Sequence, residues 1–212
     1  MNKKTRSQII FAGSILLILF SSLFAAGQGK QSNTNNLITA TSVGKVKLGM
    51  TIGEARKVLP KGMKLGPADG YEGSTLIGVY EGEKLLFTLG TYDEEGEEGL
   101  PPIDEDQRIG VMLIFDSRLR TAAGVHVGMP IAEAEKKYGK LKEIANDPHS
   151  GEWGKFTKQP ESMEFSFKTK SDVEITVARY ERIPNCKITD SSDCLSLGYA
   201  PDSYIFVISI TE

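Results

Sequence analysis

The stretch "VKLGMTIGEARKVL", residues 46–59, decides how this chain is organised, because it returns 79 residues later as "VHVGMPIAEAEKKY", residues 125–138. When the two copies are aligned and extended by two residues, half of the positions are identical, including a Gly-Met pair and a Glu-Ala pair. Agreement at this level is not expected by chance. The sequence therefore predicts an internal duplication, with each copy folding in the same way.

Each copy predicts a short helix. Thr51 and Glu54 have the spacing of a capping box, in which the hydroxyl and the carboxylate each accept a backbone N–H at the helix start. Pro130 takes the equivalent place in the second copy, where a missing N–H costs nothing. Three apolar positions in each copy fall on one helix face: Ile52, Ala55 and Leu59, and Ile131, Ala134 and Tyr138. Helices this short are not stable alone, so their apolar faces must pack against neighbouring elements.

Runs rich in β-branched and aromatic residues follow each helix and predict strands. They are residues 74–81, 84–92 and 108–116 after the first helix, and 140–145, 162–170, 172–180 and 202–210 after the second. Alternation in the second half places six side chains in the core: Met163, Phe165, Phe167, Val173, Ile175 and Val177. The last run is apolar on both sides, which predicts a central strand. We expect an α+β fold of two tandem modules, residues 43–120 and 121–212, each a short helix packed on an antiparallel β-meander.

The phrase "VKLGMTIGEARKVLPKG", followed by strands and then repeated, resembles the helix-plus-sheet modules of the β-lactamase inhibitor protein family. It is also similar to the small outer-membrane assembly lipoproteins of the SmpA/OmlA type. The inhibitor resemblance implies two modules in tandem and a protein that binds other proteins without catalysing a reaction. The lipoprotein resemblance implies a role in envelope assembly. Those lipoproteins carry a lipid on a cysteine that is missing near the start of this chain.

The first residues have the pattern of a secretory signal peptide. Lys3, Lys4 and Arg6 precede an apolar stretch, and small residues up to Gly27 offer a cleavage site. We therefore expect residues 1–27 to be removed and the protein to be periplasmic or extracellular. The alternative is an uncleaved membrane anchor through residues 9–26. Residues 28–42 begin with "QGKQSNTNN" and predict a flexible linker.

The chain has two cysteines, Cys186 and Cys194. Because disulfides persist in oxidising compartments, predicted export favours a structural disulfide between them. Their spacing does not match the C-x-x-C pattern of redox-active pairs.

The charge pattern argues against a nucleic-acid partner. The formal net charge is −3, and removal of the basic leader makes it more negative. We find no obvious cluster of Lys and Arg of the kind that gives affinity for nucleic acids. The acidic residues 93–106 predict a solvated excursion between two strands, with weak calcium binding or docking to a basic partner as alternatives.

The sequence offers little support for an enzyme. Only two histidines are present, His126 and His149, and His149 has no second His or Cys near it in the sequence. No P-loop, G-x-S-x-G or H-E-x-x-H motif occurs. We expect no catalytic residues, no metal and no cofactor, and a hydrolase with an unrecognised site ranks third among the functional hypotheses.

A protein-binding role ranks first. Trp153 and Phe156 lie in the Gly-rich stretch 149–156, which predicts a loop, and aromatic side chains on loops are typical interface anchors. Glu164, Lys168 and Glu174 are expected on the open face of the predicted sheet. The sequence thus predicts an exported, inhibitor-like module that binds an unidentified protein. The runner-up is a cell-envelope assembly or structural factor.

Overall fold

The fold is known here from a computed structural model, which describes residues 34–69, 75–91, 104–147, 151–171, 176–182 and 195–212. Several of the predictions above concern other parts of the chain. The leader, residues 93–103 of the acidic stretch, His149, Glu174 and both cysteines lie outside the described residues. The strand predicted at 172–180 is described only from residue 176.

The described residues contain a 3₁₀ turn at Thr34–Asn36, two α-helices and fourteen strands. The helices are α1 (Ile52–Val58) and α2 (Ile131–Tyr138). The strands before α2 are β1 (Leu37–Thr39), β2 (Ser42–Val43), β3 (Val46–Lys47), β4 (Met63–Asp69), β5 (Thr75–Glu81), β6 (Lys84–Thr91), β7 (Ile109–Ile114) and β8 (Arg120–Thr121). Those after it are β9 (Leu141–Asp147), β10 (Gly151–Phe156), β11 (Met163–Lys168), β12 (Ala178–Arg182), β13 (Leu195–Tyr199) and β14 (Tyr204–Thr211).

Eight of these strands form one antiparallel sheet in the order β4-β5-β6-β7-β14-β11-β10-β9. β4 to β7, which follow α1, form one half of the sheet, and β9, β10, β11 and β14, which follow α2, form the other. β7 and β14 join the halves at the centre, with Ile114 opposite Ile208. The prediction that the last strand is central is confirmed.

Two smaller sheets accompany the large one. β1 pairs in antiparallel fashion with β2 and in parallel with β8, and β2 pairs with β3. β12 and β13 form a separate hairpin whose register sets Ala178 opposite Tyr199. Ile38, Val43 and Val46 of the first small sheet are buried in the same core as the large sheet. This sheet and both helices therefore lie on one face of the large sheet, which we call the inner face.

Both helices begin as predicted. The Thr51 hydroxyl accepts from the Glu54 amide at 3.2 Å, and the Glu54 carboxylate accepts from the Thr51 amide at 2.9 Å, which completes the capping box. Pro130 precedes α2 without a side-chain cap, and Gly139 ends it with φ of 76°. No helix among the described residues has the length and apolar character needed to cross a bilayer.

The core lies between the inner face and the helices. The largest side chains that are fully buried come from both halves of the chain: Ile38, Ile52, Leu89, Ile109, Met112, Ile114, Ile131, Met163, Phe165, Ile205, Ile208 and Ile210. Burying one side chain of this size stabilises the fold by about 1.5–3 kcal/mol. Among the predicted core residues, Met163, Phe165, Phe167 and Val177 are buried, whereas Val173 and Ile175 lie outside the described residues.

The predicted α+β fold of two tandem helix-plus-meander modules is wrong. The described part of the chain is mostly β, with 50% strand and 13% helix, the 3₁₀ turn included. The helices have seven and eight residues, too few to form a layer of their own. Pairing of β7 with β14 makes the strands of both halves one sheet over one continuous core. Sequence patterns report local structure and could not show this long-range pairing.

Two further expectations differ from the structure. Residues 37–39 were assigned to the flexible linker 28–42, but they form β1, and Ile38 is buried against the core. The stretch 149–156 was predicted as a loop, but Gly151–Phe156 is strand β10. Strand β4, the small sheet of β1, β2, β3 and β8, and strand β13 were not predicted, because their runs are short or contain Gly and Pro, whereas β12 overlaps the strand predicted at 172–180.

The repeated segments make equivalent backbone contacts in the two halves. The Gly49 amide donates to the Ile109 oxygen at 2.8 Å, and the Gly128 amide donates to the Ile205 oxygen at 2.8 Å. Both glycines have positive φ, 76° and 84°, which explains why the motif keeps glycine there. Each copy of the motif therefore docks its helix onto the final strand of its own half of the sheet.

Candidate functional site

The outer face of the large sheet, opposite the helices, carries a group of aromatic and charged side chains in the half built from β14, β11 and β10. In register, Trp153 on β10 lies opposite Ser166 on β11, and Ser166 lies opposite Val207 on β14. We call the following seven residues the outer patch: Trp153, Lys155, Glu164, Ser166, Lys168, Phe206 and Val207. Both described helices pack on the other face.

Strand β10 holds Trp153 firmly in this orientation. Its residues alternate, with Glu152, Gly154 and Phe156 buried and Trp153 and Lys155 partly exposed. A Cβ at position 154 would overlap the Glu143 carbonyl oxygen, so the close approach of β9 requires glycine there. β10 is thus held by close backbone contact with β9 and by its buried side chains on the inner face.

The buried carboxylate of Glu152 adds a further restraint on β10. It accepts hydrogen bonds from the backbone amides of Val177 and Ala178, the latter at 2.8 Å, just where β12 begins. A buried carboxylate that lacked such donors would be costly. The bond therefore fixes the β12–β13 hairpin to the inner side of the strand that presents Trp153.

A cross-strand ion pair lies beside Trp153. The Lys155 Nζ is 3.0 Å from the Glu164 Oε1, and each side chain keeps about a third of its surface exposed. The hydrogen bond to the Glu164 carboxylate raises the pKa of Lys155. The pair leaves charge of both signs at the border of the patch.

Phe206 lies on the same face because of a β-bulge. The register between β11 and β14 shifts between Ser166 and Phe167, which leaves Phe206 without an opposite residue. Phe206 is 37% exposed and is the one large hydrophobic residue among those described that is classed as exposed. The Lys168 Nζ lies 3.5 Å from its ring centroid, a cation–π contact.

The structure brings together three of the five residues predicted to bind a partner. Trp153, Glu164 and Lys168 all belong to the outer patch, although Trp153 lies on a strand and not on a loop. Phe156 does not belong to the patch, because it is 3% exposed and packs against the rings of Phe165 and Phe167. Glu174 lies outside the described residues.

Sequence reasoning missed Lys155, Phe206 and Val207. Lys155 could have been found, because it alternates with the buried residues of "GEWGKF" once that stretch is taken as a strand. Phe206 had no such signal. Strict alternation along β14 groups it with Ile208 and Ile210, which are buried, and only the bulge turns it outward.

The described residues contain no group of three or more His, Cys, Asp or Glu side chains placed to hold a metal ion. His126 is partly buried, and its Nδ1 lies 2.8 Å from the Val127 oxygen. Within the acidic stretch, Asp104 accepts from the Asp106 amide at 2.9 Å and Glu105 pairs with Arg56 at 2.5 Å. These acidic residues are therefore engaged in local contacts.

Comparison with known proteins does not assign the chain to a family. No family model matches it, and no curated protein matches it. A crystal structure of the uncharacterized protein yfeY from Escherichia coli is similar at 13% identity with a TM-score of 0.46. The similarity covers 82% of this chain and 99% of that one.

Proposed function

We propose that this protein is an exported, non-catalytic module that binds another protein through the outer patch. The observation that supports the proposal is the combination of exposed Phe206 with partly exposed Trp153 and Val207 on the sheet face opposite the described helices. Apolar side chains gathered on an exposed face mark interaction sites more often than scattered ones do. Trp in particular is enriched among the residues that dominate binding energy.

The position of the patch within the sheet also supports binding. β14 is central, β11 is its neighbour, and β10 is fixed by Glu152 and Gly154. A rigid surface loses little conformational freedom when a partner docks, so more of the contact energy remains as affinity.

The charged residues around the aromatic centre fit a protein partner. Lys155 and Glu164 neutralise each other, and Lys168 lies over Phe206. Interfaces commonly have an apolar centre and a polar rim, and the rim favours one orientation of the partner over others.

A pull-down from an extract of the cell envelope tests this function. Tagged wild type and the Trp153→Ala and Phe206→Ala variants are compared by quantitative mass spectrometry of the captured proteins. We expect both variants to lose the same partner, each with a cost of about 2 kcal/mol in binding free energy.

Val111→Ala is the matched control. Val111 is also on the outer face, opposite Thr211 at the far end of β14 from Phe206. Its truncation removes apolar surface outside the patch and should leave recovery unchanged. Equal recovery by wild type and both patch variants, or equal loss in the Val111 control, would remove the outer patch from the account.

A further inference from the structure

We propose a second interaction surface on the first copy of the repeat, which attaches the protein to a membrane containing anionic phospholipid. It consists of Lys45, Lys47, Lys57 and Lys61, and we call it the basic surface. Lys45 and Lys47 lie on the β2–β3 hairpin, Lys57 on α1, and Lys61 in the turn after it. α1 packs directly against β3, so the two pairs of lysines occur on adjoining elements.

All four lysines are exposed, and none of them takes part in an ion pair with another described residue. Two acidic groups beside α1 already have other hydrogen-bond partners, although the charge of Lys57, after the hydrogen bond from Arg56, also contributes to lowering the pKa of Glu105. Glu54 accepts the Thr51 amide at 2.9 Å, and Glu105 pairs with Arg56 at 2.5 Å. The four ammonium groups therefore remain exposed and outside any ion pair among the described residues, so an anionic ligand can contact them.

The second copy of the repeat shows why these charges are free. Thr51 has a backbone N–H that binds Glu54, whereas Pro130 has none, so the equivalent Glu133 pairs instead with Lys136 at 2.6 Å. The residue at the helix start, Thr51 or Pro130, thus decides whether the equivalent lysine, Lys57 or Lys136, pairs with the glutamate of the first turn.

A second difference between the two copies also leaves a lysine of the first copy without a carboxylate partner. Arg56 on α1 corresponds to Glu135 on α2, and Glu135 pairs with Lys140 at 3.1 Å. Lys61, which corresponds to Lys140, has no such carboxylate. Lys45 and Lys47 correspond to Gly124 and His126. The equivalents of Lys57 and Lys61 in the second copy, Lys136 and Lys140, therefore both pair with carboxylates, whereas Lys57 and Lys61 do not.

The kind of basic residue favours a charged lipid surface. The two arginines of this region make contacts within the protein, Arg56 with Glu105 and Arg108 with the Gly49 oxygen at 2.8 Å. The free groups are all lysines, which act as hydrated point charges and not as planar forks that recognise one phosphate. Clusters of four or more Lys or Arg near a bilayer bind anionic lipid, at about 1 kcal/mol for each residue.

Vesicle co-sedimentation tests the proposal. Residues 28–212, which include the whole described core, are mixed with vesicles of phosphatidylcholine alone or with phosphatidylglycerol added. We expect binding only to the anionic vesicles at about 0.05 M salt and its loss at about 0.5 M, because salt screens exposed charges. Replacing Lys45, Lys47, Lys57 and Lys61 by Gln should weaken binding at least about tenfold.

The matched control replaces four lysines of the second copy, Lys136, Lys137, Lys140 and Lys142, by Gln, which changes the net charge by the same amount. It should retain most of the binding, and circular dichroism should show both variants folded. Absence of wild-type binding to anionic vesicles would overturn the proposal. An equal loss of vesicle binding in both variants would also overturn it. So would wild-type binding to duplex DNA that is as tight as, or tighter than, binding to anionic vesicles at the same salt concentration.

Discussion

The carboxylate of Glu152 accepts a hydrogen bond from the backbone amide of Ala178 at 2.8 Å. Glu152 thereby holds the β12–β13 hairpin on the inner face, while the next residue of β10, Trp153, lies on the outer face. The contact therefore couples the geometry of the outer patch to the buried side of the same strand.

Replacing Glu152 by Ala should destabilise the protein by about 1–3 kcal/mol, because the amides of Val177 and Ala178 lose their buried acceptor. Urea unfolding measures this free energy. Glu143→Ala is the control, since Glu143 is exposed on the neighbouring strand β9. An equal midpoint for Glu152→Ala and wild type would show that the bond does not hold the hairpin.

The lowered pKa of Asp116 should make the stability of the protein depend on pH. Burial alone would raise the pKa of Asp116. The carboxylate, however, accepts hydrogen bonds from the side chains of Arg118 and Lys84 and from the backbone amide of Arg118, and together these leave its pKa well below the ordinary value. The folded pKa is depressed, so the stabilisation is present above the unfolded value of about 3.9 and is lost as the pH falls through the folded value.

Asp116→Asn should therefore lower the free energy of unfolding at neutral pH by about 2 kcal/mol, and the difference from wild type should shrink below about pH 4. Chemical denaturation at several pH values measures both. Ser117→Ala, at the exposed neighbouring position, is the control. A difference that stays constant from neutral pH to about pH 2 would contradict the assigned role of the carboxylate.

The hydroxyl of Tyr199 should ionise at a higher pH than that of an ordinary tyrosine. Burial and the hydrogen bond that its hydroxyl donates to Glu135 at 3.0 Å raise its pKa to about 12. The difference in ultraviolet titration between wild type and Tyr199→Phe isolates this group. Glu135→Gln should move the midpoint down, because the anion that opposes ionisation is removed. A midpoint near 10 in wild type would show that the contact is absent in solution.

The N-terminal residues carry a separate prediction. If residues 1–27 form a signal peptide, intact-mass measurement of the protein from the producing cells should match a chain that begins at Gln28. Retention of residues 9–26 would instead support the anchored form. A Gly27→Leu variant should impair processing, because the cleavage site needs small residues.

The local structure could be predicted from the sequence far better than the assembly. The capping box of Thr51 and Glu54 fixed the start of α1, and alternation identified Met163, Phe165 and Phe167 as core. These signals act over a few residues. Pairing of β7 with β14 joins segments far apart in the chain, and no local pattern reports it, so the two halves were wrongly predicted as separate modules.

The candidate site shows the same division. Glu164 and Lys168 were predicted correctly on an outward sheet face, because strand alternation is a local property. Trp153 was predicted on a loop, since Gly151 and Gly154 are typical of loops, whereas Gly154 is required by the approach of β9. Phe206 depends on a bulge between β11 and β14, which only the pairing of the strands reveals.

The most direct test of the central claim is site-specific photo-crosslinking in envelope extract. A photoreactive phenylalanine analogue is placed at Trp153 or Phe206, and at Val111 as the outer-face control. We predict one crosslinked protein shared by positions 153 and 206 and absent at position 111. No crosslink at either patch position, or the same products at all three positions, would contradict binding through the outer patch.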